Sequence, residues 1–169
     1  MKKLLLAVFS LFMFLSTTYS QNNSIGIGMG LEYGGFGVNG TFISESGFGG
    51  FFGAGYIIAG IGINAGIQYS FNPENKTHPF LMAMYGYNAA IVVKNAFSNS
   101  NEFSEIYYGP SFGGGVNIKN RKNNIWRISL SIPVRSSEFQ DDMDDLKNSG
   151  VSFNEALPIA IGVGYNFTI

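Results

Sequence analysis

Few residues of this 169-residue chain could carry chemistry, and their types limit what that chemistry could be. There is no Cys, and His78 supplies the only imidazole, so thiolate metal sites, Cys nucleophiles and sites with two His ligands are excluded. His78 stands beside Pro79, and we interpret it as an ordinary turn residue and not as the base of a Ser-His-Asp arrangement. The sequence therefore predicts neither an enzyme activity nor a cofactor.

Carboxylates are the other reactive groups, and they concentrate in one segment. Six of the eleven acidic residues lie between positions 138 and 155. Carboxylate oxygens bind hard cations such as Ca²⁺, but this run lacks the spacing and the glycine of a Ca²⁺ loop. We predict no metal site here and interpret the run as a solvated helix face. Its candidates for contact with a cation or a partner are Asp141, Asp142, Asp144 and Asp145.

The charge balance argues against one class of partner, and the N-terminus indicates export. Ten basic and eleven acidic residues leave no basic surface for nucleic acid. Lys2 and Lys3 precede an apolar run and then small polar residues, which is the layout of a secretory signal peptide over 1–20. An uncleaved anchor is disfavoured because the run of about 12 apolar residues is shorter than the ~20 that span a bilayer. We expect a mature domain over 21–169 with a net charge of -3.

Apolar and polar residues alternate along most of this domain, and a period of two predicts β-strands. The segment 47–66 is uncharged, but eight glycines in twenty residues argue against a membrane helix. We expect tight turns at Gly34-Gly35 and Ile57-Ile58, and a three-residue turn that ends in a left-handed Gly47. A helix is predicted over 137–148, with Phe139, Met143 and Leu146 on one face, and we expect this face to lie against the barrel rim. The eight predicted strands are 24–33, 36–44, 48–56, 59–71, 79–93, 105–119, 126–135 and 157–169.

The face opposite the apolar residues carries mostly Gly, Ser, Asn and Thr, while charges gather between the strands. A soluble barrel would place a charged face in water, so this distribution favours an all-β, eight-stranded, up-and-down antiparallel transmembrane β-barrel with a polar interior. Ile63→Arg on the lipid side should then be costly, and Asn64→Arg milder where the lumen has space. The alternatives are a small-solute porin and a soluble, secreted β-barrel that binds an apolar ligand.

The chain resembles the small outer-membrane β-barrel domain family of Gram-negative bacteria. The resemblance rests on the exported N-terminus, the eight alternating strands and the terminal run 164–169, with its Gly164 and Phe167. The chain departs from the family by ending in Ile169, where an aromatic residue is commonest. The resemblance implies a location in the outer membrane, contact with its lipid and insertion by the barrel-assembly machinery, but no particular activity.

Strand parity places four charged residues in the lumen, among Asn39, Asn64, Gln68, Asn88 and Asn117. We expect Glu105 and Arg135, at the outer ends of neighbouring strands, to pair and close the lumen as a plug, although a gate would use the same residues. A structural or surface-interaction role would then fall to the external loops, chiefly 136–156. Aromatic residues 69, 71, 126, 165 and 167 are predicted to form an interfacial belt. Tyr85 and Tyr87 do not fit the alternation of their strand, which indicates either a bulge or an inverted phase there. The predicted lumen network comprises Glu32, Glu105, Arg127 and Arg135.

Overall fold

The computed structural model describes residues 23–94, 101–148 and 157–169, so the predicted signal peptide over 1–20 lies outside the described residues. Within these ranges the chain forms eight strands, one 3-10 turn at Leu31–Tyr33 and one α-helix, α1, at Ser137–Asn148. No helix of the described part combines the length and the apolar character needed to cross a membrane. The strands are β1 Ser24–Gly30, β2 Gly35–Ile43, β3 Phe48–Ile57, β4 Gly60–Ser70, β5 Thr77–Lys94, β6 Asn101–Lys119, β7 Ile125–Pro133 and β8 Ala160–Thr168.

Each strand pairs with its sequence neighbours, and β1 also pairs with β8, which closes the sheet into a barrel. All the pairings are antiparallel, and Ser24 of β1 lies opposite both Thr41 and Thr168. The prediction of an eight-stranded, up-and-down antiparallel barrel is therefore confirmed. We call the end of the barrel at which β1 begins and β8 ends the termini end. The opposite end is called the loop end.

The two faces of the barrel wall are occupied as the alternation predicts. On β4, Ile63 is 43% exposed on the outside, whereas its neighbour Asn64 is 1% exposed in the lumen. The same holds on β7, where Arg127 and Ser129 point inward and Ile128 points outward. An eight-stranded barrel leaves space only for side chains, and here small and polar residues fill the interior together with a cluster of larger apolar ones, Leu31, Phe51, Phe80, Met82 and Met84. Four of the five amides expected in the lumen are buried there, Asn39, Asn64, Gln68 and Asn117, whereas Asn88 is buried at the loop end, where its amide donates to the Val134 carbonyl at 2.8 Å.

The β1–β2 connection differs from the prediction of a strand to Tyr33 followed by a turn at Gly34-Gly35. β1 ends at Gly30, which pairs with Gly35, and the four residues between them fold into the lumen. Gly30 has a φ of 143° and Gly34 a φ of 68°, conformations that favour glycine. The N–H of Gly34 donates to the carbonyl of Leu31 at 2.9 Å, which closes the turn. We call Leu31 to Gly34 the plug turn.

The other tight turns are close to expectation. Gly47 is left-handed, with a φ of 86°, and its N–H donates to the carbonyl of Ser44 at 2.9 Å, which confirms the three-residue turn. The β3–β4 turn has the predicted length of two residues but lies one residue later in the chain than predicted. Because Ile57 pairs with Gly60, the turn consists of Ile58 and Ala59.

β5 and β6 are longer than their neighbours and continue past the barrel. The ladder between β4 and β5 ends at Gly86, and the ladder between β6 and β7 ends at Ser111, so 87–94 and 101–110 form a two-stranded extension at the loop end. A bulge between Tyr87 and Ala89 begins it, so of the two irregularities predicted near the tyrosines the bulge is the one observed. The bulge changes which side chains face the barrel axis.

Candidate functional site: the filled lumen and the external cap

The plug turn occupies the loop-end half of the lumen. Leu31, Glu32 and Tyr33 are almost completely buried, and Glu32 is 0% exposed. The side-chain amide of Asn39 donates to the Glu32 carbonyl at 2.7 Å, and that of Asn64 donates to the Leu31 carbonyl at 2.5 Å. These bonds satisfy backbone carbonyls that would otherwise be buried without a partner. The lumen amides therefore hold this turn inside the barrel.

Glycines on β1 and β8 make the space that the plug turn needs. A Cβ added at Gly164 would lie 2.1 Å from the hydroxyl oxygen of Tyr33, and one at Gly28 would lie 2.8 Å from its ring. A Cβ at Gly162 would lie 2.5 Å from a carboxylate oxygen of Glu32. The Tyr33 hydroxyl also donates to the side-chain oxygen of Asn166 at 3.3 Å. The small residues of this wall thus form a seat for Tyr33 and Glu32.

A leucine in this seat should displace the plug turn. We expect Gly164→Leu to lower the free energy of unfolding by about 1–3 kcal/mol, because the added side chain overlaps Tyr33 in a filled interior. Urea unfolding of the reconstituted barrel measures this loss. The matched control is Gly40→Leu, whose Cβ would point outward and meet nothing closer than 3.9 Å. Equal losses for the two substitutions would contradict the claim that Gly164 leaves space for Tyr33.

Arg127 organises the termini-end half of the lumen. It is 2% exposed; its Nε donates to the Asn117 side-chain oxygen at 3.1 Å, and its Nη2 donates to the Gln68 side-chain oxygen at 3.0 Å. Its guanidinium carbon lies 4.7 Å from the centre of the Phe80 ring, a cation–π arrangement. A buried cation thereby gains two hydrogen bonds and an aromatic face.

The interpretation of His78 as an ordinary turn residue is wrong. His78 is the second residue of β5 and faces the lumen with Phe80, because residues two apart share a face of a strand. Its Nδ1 lies 3.0 Å from the Asn75 carbonyl, and the Asn117 amide nitrogen lies 3.3 Å from its Nε2. His78 therefore extends the network of Arg127 through Asn117.

Glu32 and Arg127, predicted in the lumen, are both there and lie at adjacent levels. Ser129, two residues after Arg127 on the same face of β7, donates its hydroxyl to a carboxylate oxygen of Glu32. Among the described residues, Glu32 and Arg127 do not form a direct ion pair. They interact at longer range, as opposite charges in a poorly solvated interior do.

The expected pairing of Glu105 with Arg135 is wrong. The described residues contain no ion pair between them. Arg135 instead places its guanidinium 5.2 Å from the centre of the Phe139 ring and donates to the Leu157 carbonyl. Glu105 lies opposite Ile91 in the extension. The two are separated because β6 continues past the barrel, whereas the chain leaves β7 at Pro133 and turns into α1.

The extension and α1 form a cap at the loop end. The predicted bounds of α1 are confirmed, and so is its apolar face. Phe139 lies edge-on to Tyr107, with ring centres 5.2 Å apart, and the Tyr107 hydroxyl donates to Asp142 at 2.5 Å. This face packs on the extension, where we expected the barrel rim. The packed residues are Ala89, Ile91, Tyr107, Phe139, Met143 and Leu146.

The four aspartates named as candidate contacts do not share one environment. Asp142 bonds Tyr107 and holds α1 in place, while Asp144 lies 3.7 Å from the Lys147 ammonium. Asp141 and Asp145 are exposed. No group of three or more His, Asp or Glu side chains in the described ranges is arranged to hold a metal ion.

Aromatic side chains gather on the outer wall near the termini end, where the belt was predicted. The ring centres of Trp126 and Tyr165 are 4.9 Å apart, and those of Tyr165 and Phe167 are 5.0 Å apart. Tyr69 and Phe71 form a second edge-to-face pair at 4.9 Å. We call these five residues the aromatic belt.

Comparison with known proteins supports the fold. No family model and no characterised protein matches the chain. Among solved structures it is similar to the N-terminal β-barrel domain of Pseudomonas aeruginosa OprF, with 14% sequence identity and a TM-score of 0.52. The match covers 88% of this chain and 98% of that one. At this identity the likeness shows the fold.

Proposed function

We propose that this protein is an outer-membrane β-barrel with a plugged lumen, which serves as a structural or surface-interaction protein through its external loops. The observation that carries the proposal is an apolar outer wall on every strand. Exposed apolar surface on this scale is unusual for a protein in water, whereas lipid requires it. The fold shared with an outer-membrane barrel domain supports the same location. Exposed members of the wall include Ile25, Ile27, Val38, Phe52, Ile63, Ile67, Leu81, Phe112, Ile128, Leu130, Ile161 and Val163.

The lumen's contents argue against the soluble alternative. A barrel that binds an apolar ligand needs an apolar cavity, but this interior contains Glu32, Arg127 and His78 together with buried amides. The apolar residues inside, Leu31, Phe51, Phe80, Met82 and Met84, pack on one another. The outer wall would also face water without cover.

The lumen's packing equally argues against a porin. The plug turn fills the loop-end half, and the network of Arg127 fills the termini-end half. A solute would have to displace both. We therefore propose that outer-membrane lipid is the main partner and that the barrel-assembly machinery inserts the chain. A surface partner of unknown identity would meet the cap, and we propose no enzyme activity.

Fractionation of cells that express the protein tests the location. We expect the mature chain in the outer-membrane fraction, released only by detergent, with a gel mobility that changes on heating because the closed barrel resists unfolding. Recovery in the soluble fraction without detergent, with no such change, would overturn the proposal.

Planar-bilayer recording then tests the plug. The wild-type protein should show no sustained conductance, because both halves of its lumen are filled. A variant with Asn-Gly in place of residues 31–34 and with Arg127→Ala lacks both obstructions and should conduct. Sustained, large conductance from the wild type would favour the porin.

A further inference from the structure

A cluster of basic side chains lies at the termini end of the barrel. It holds four of the eight Lys and Arg residues that follow position 20. Among the residues that the structure describes, the acids at the same end are Glu45 and Glu74. We call the cluster the basic patch: Lys76, Lys119, Arg121 and Lys122.

The backbone brings the members of the basic patch together. The N–H of Lys119, at the end of β6, donates to the carbonyl of Lys76 at 2.7 Å, so the β4–β5 connection adjoins the β6–β7 turn. The side-chain oxygen of Asn120 accepts the N–H groups of Lys122 at 2.8 Å and of Asn124 at 3.1 Å. The turn that presents Arg121 and Lys122 is thus internally bonded, and both side chains are exposed.

The basic patch is continuous with the aromatic belt. The side-chain amides of Asn120 and Asn124 each donate to the Tyr165 hydroxyl at 3.0 Å, and the Tyr165 ring contacts Trp126. Tyr and Trp rings concentrate at the boundary between hydrocarbon and headgroups. Cations directly beyond that boundary lie at the depth of lipid phosphates.

The loop end has the opposite charge. Its described residues include seven acids against three cations, Lys94, Arg135 and Lys147. An anionic headgroup is therefore attracted to one end of the barrel and repelled from the other. The seven acids are Glu102, Glu105, Glu138, Asp141, Asp142, Asp144 and Asp145.

We propose that the basic patch binds the phosphate headgroups of anionic phospholipids in the leaflet at the termini end. The proposal rests on the membrane-spanning function proposed above. A lipid fits better than a free anion or an acidic protein because the patch adjoins the belt and its cations are spread over two neighbouring connections. Each Lys or Arg near an anionic surface favours binding about fivefold, so Arg121 and Lys122 together should favour anionic lipid by more than tenfold at low salt.

The protein contains a built-in reporter of this binding. Trp126 is its only tryptophan, is 50% exposed in the belt and lies opposite Ile118, the residue before Lys119. The folded barrel is reconstituted in vesicles of phosphatidylcholine and phosphatidylglycerol at a ratio of about two to one. In one set the phosphatidylglycerol carries brominated acyl chains, and in the other set the phosphatidylcholine does. Bromine quenches tryptophan on contact, so the two sets report which lipid lies beside Trp126.

We expect the brominated phosphatidylglycerol to quench Trp126 more than its share of the bilayer accounts for, and this excess to fall as salt is added. The excess should disappear in Arg121→Gln/Lys122→Gln and persist in Arg121→Lys/Lys122→Arg, which keeps both charges. Lys76→Gln should reduce it partly. Heat-dependent mobility confirms that each variant is folded.

Three outcomes separate the alternatives. The proposal would be overturned if quenching in the wild type only followed the lipid composition, or if the excess survived loss of both charges. An acidic protein would then be the remaining candidate partner of the basic patch. Loss of the excess in inorganic phosphate, but not in chloride of equal ionic strength, would assign the patch to free anions and also overturn it. Absence of quenching by either lipid would instead contradict the membrane location, because Trp126 would then lie outside the bilayer.

Discussion

Replacing Arg127 with methionine should lower the free energy of unfolding by about 3–5 kcal/mol, the range found when one partner of a buried charged group is removed. The substitution leaves the side-chain oxygens of Gln68 and Asn117 without their donor. Each buried acceptor left alone costs about 1–3 kcal/mol. It also removes a cation that interacts at longer range with the buried carboxylate of Glu32. Urea unfolding in lipid vesicles, followed by Trp126 fluorescence, measures the loss.

A double-mutant cycle separates these contributions. If the charges of Glu32 and Arg127 compensate each other, Glu32→Gln/Arg127→Met should be more stable than the sum of the single losses predicts, by 1 kcal/mol or more as an order of magnitude. Arg127→Lys keeps the charge but cannot reach both acceptors with a planar fork, so its loss should be intermediate. Additive losses would mean that hydrogen bonds alone explain the role of Arg127.

The strands and their faces could be predicted because each strand repeats the same local information. In β4 and β8, every second residue from Ile61 to Tyr69 and from Ile161 to Phe167 is apolar, and lipid selects that face at each position. A period repeated along a strand is insensitive to errors at its ends, which is why the bounds shift by only a few residues. The helix at Ser137–Asn148 follows from local spacing in the same way.

The plug turn could not be predicted because residues far along the chain determine it. Leu31, Glu32 and Tyr33 continue the alternation of β1, and Gly34-Gly35 is a plausible turn by itself. The turn enters the lumen because Gly162 and Gly164, more than a hundred residues later, leave room for Glu32 and Tyr33 next to the glycines of β1 itself. The residues around Glu32 carry only part of that information. The sequence did contain one indication of the plug turn: Gly162 and Gly164 lie on the lumen face of β8, and a strand does not itself require glycine at these positions.

The predicted pair of Glu105 and Arg135 failed for a related reason. Parity gives the face on which a residue lies but not how far a strand rises above its neighbours. The extension places Glu105 beyond the barrel, and the guanidinium of Arg135 lies over the ring of Phe139 instead. Glu32 and Arg127 were placed correctly because both lie within the height of the closed barrel.

A substitution on the outer wall should have the second large effect on the free energy of unfolding. Ile63→Arg should lower the free energy of unfolding in a bilayer by about 2–4 kcal/mol if Ile63 lies near the midplane, because an exposed guanidinium must then enter hydrocarbon. Ile63→Leu keeps the apolar surface and is the matched control. If the wall faced water instead, Ile63→Arg would change stability by only about 0.5 kcal/mol or less. Vesicle unfolding therefore distinguishes a lipid-facing wall from a soluble one.

Asn64→Arg, the adjacent substitution, was expected to be milder than Ile63→Arg on the condition that the lumen has space for the new side chain. The lumen has no space for it: Asn64 is buried, and its amide donates to the carbonyls of Leu31 and Tyr87. Loss of these bonds and overpacking should together cost several kcal/mol, on the order of 3.

The losses for Ile63→Arg and Asn64→Arg differ in origin, so changing the surroundings of the barrel separates them. In detergent micelles, where water reaches the outer wall more easily, the loss for Ile63→Arg should shrink, while the loss for Asn64→Arg should persist because its contacts are internal. If micelles reduced both losses equally, the assignment of Ile63 to lipid and of Asn64 to the lumen would be contradicted.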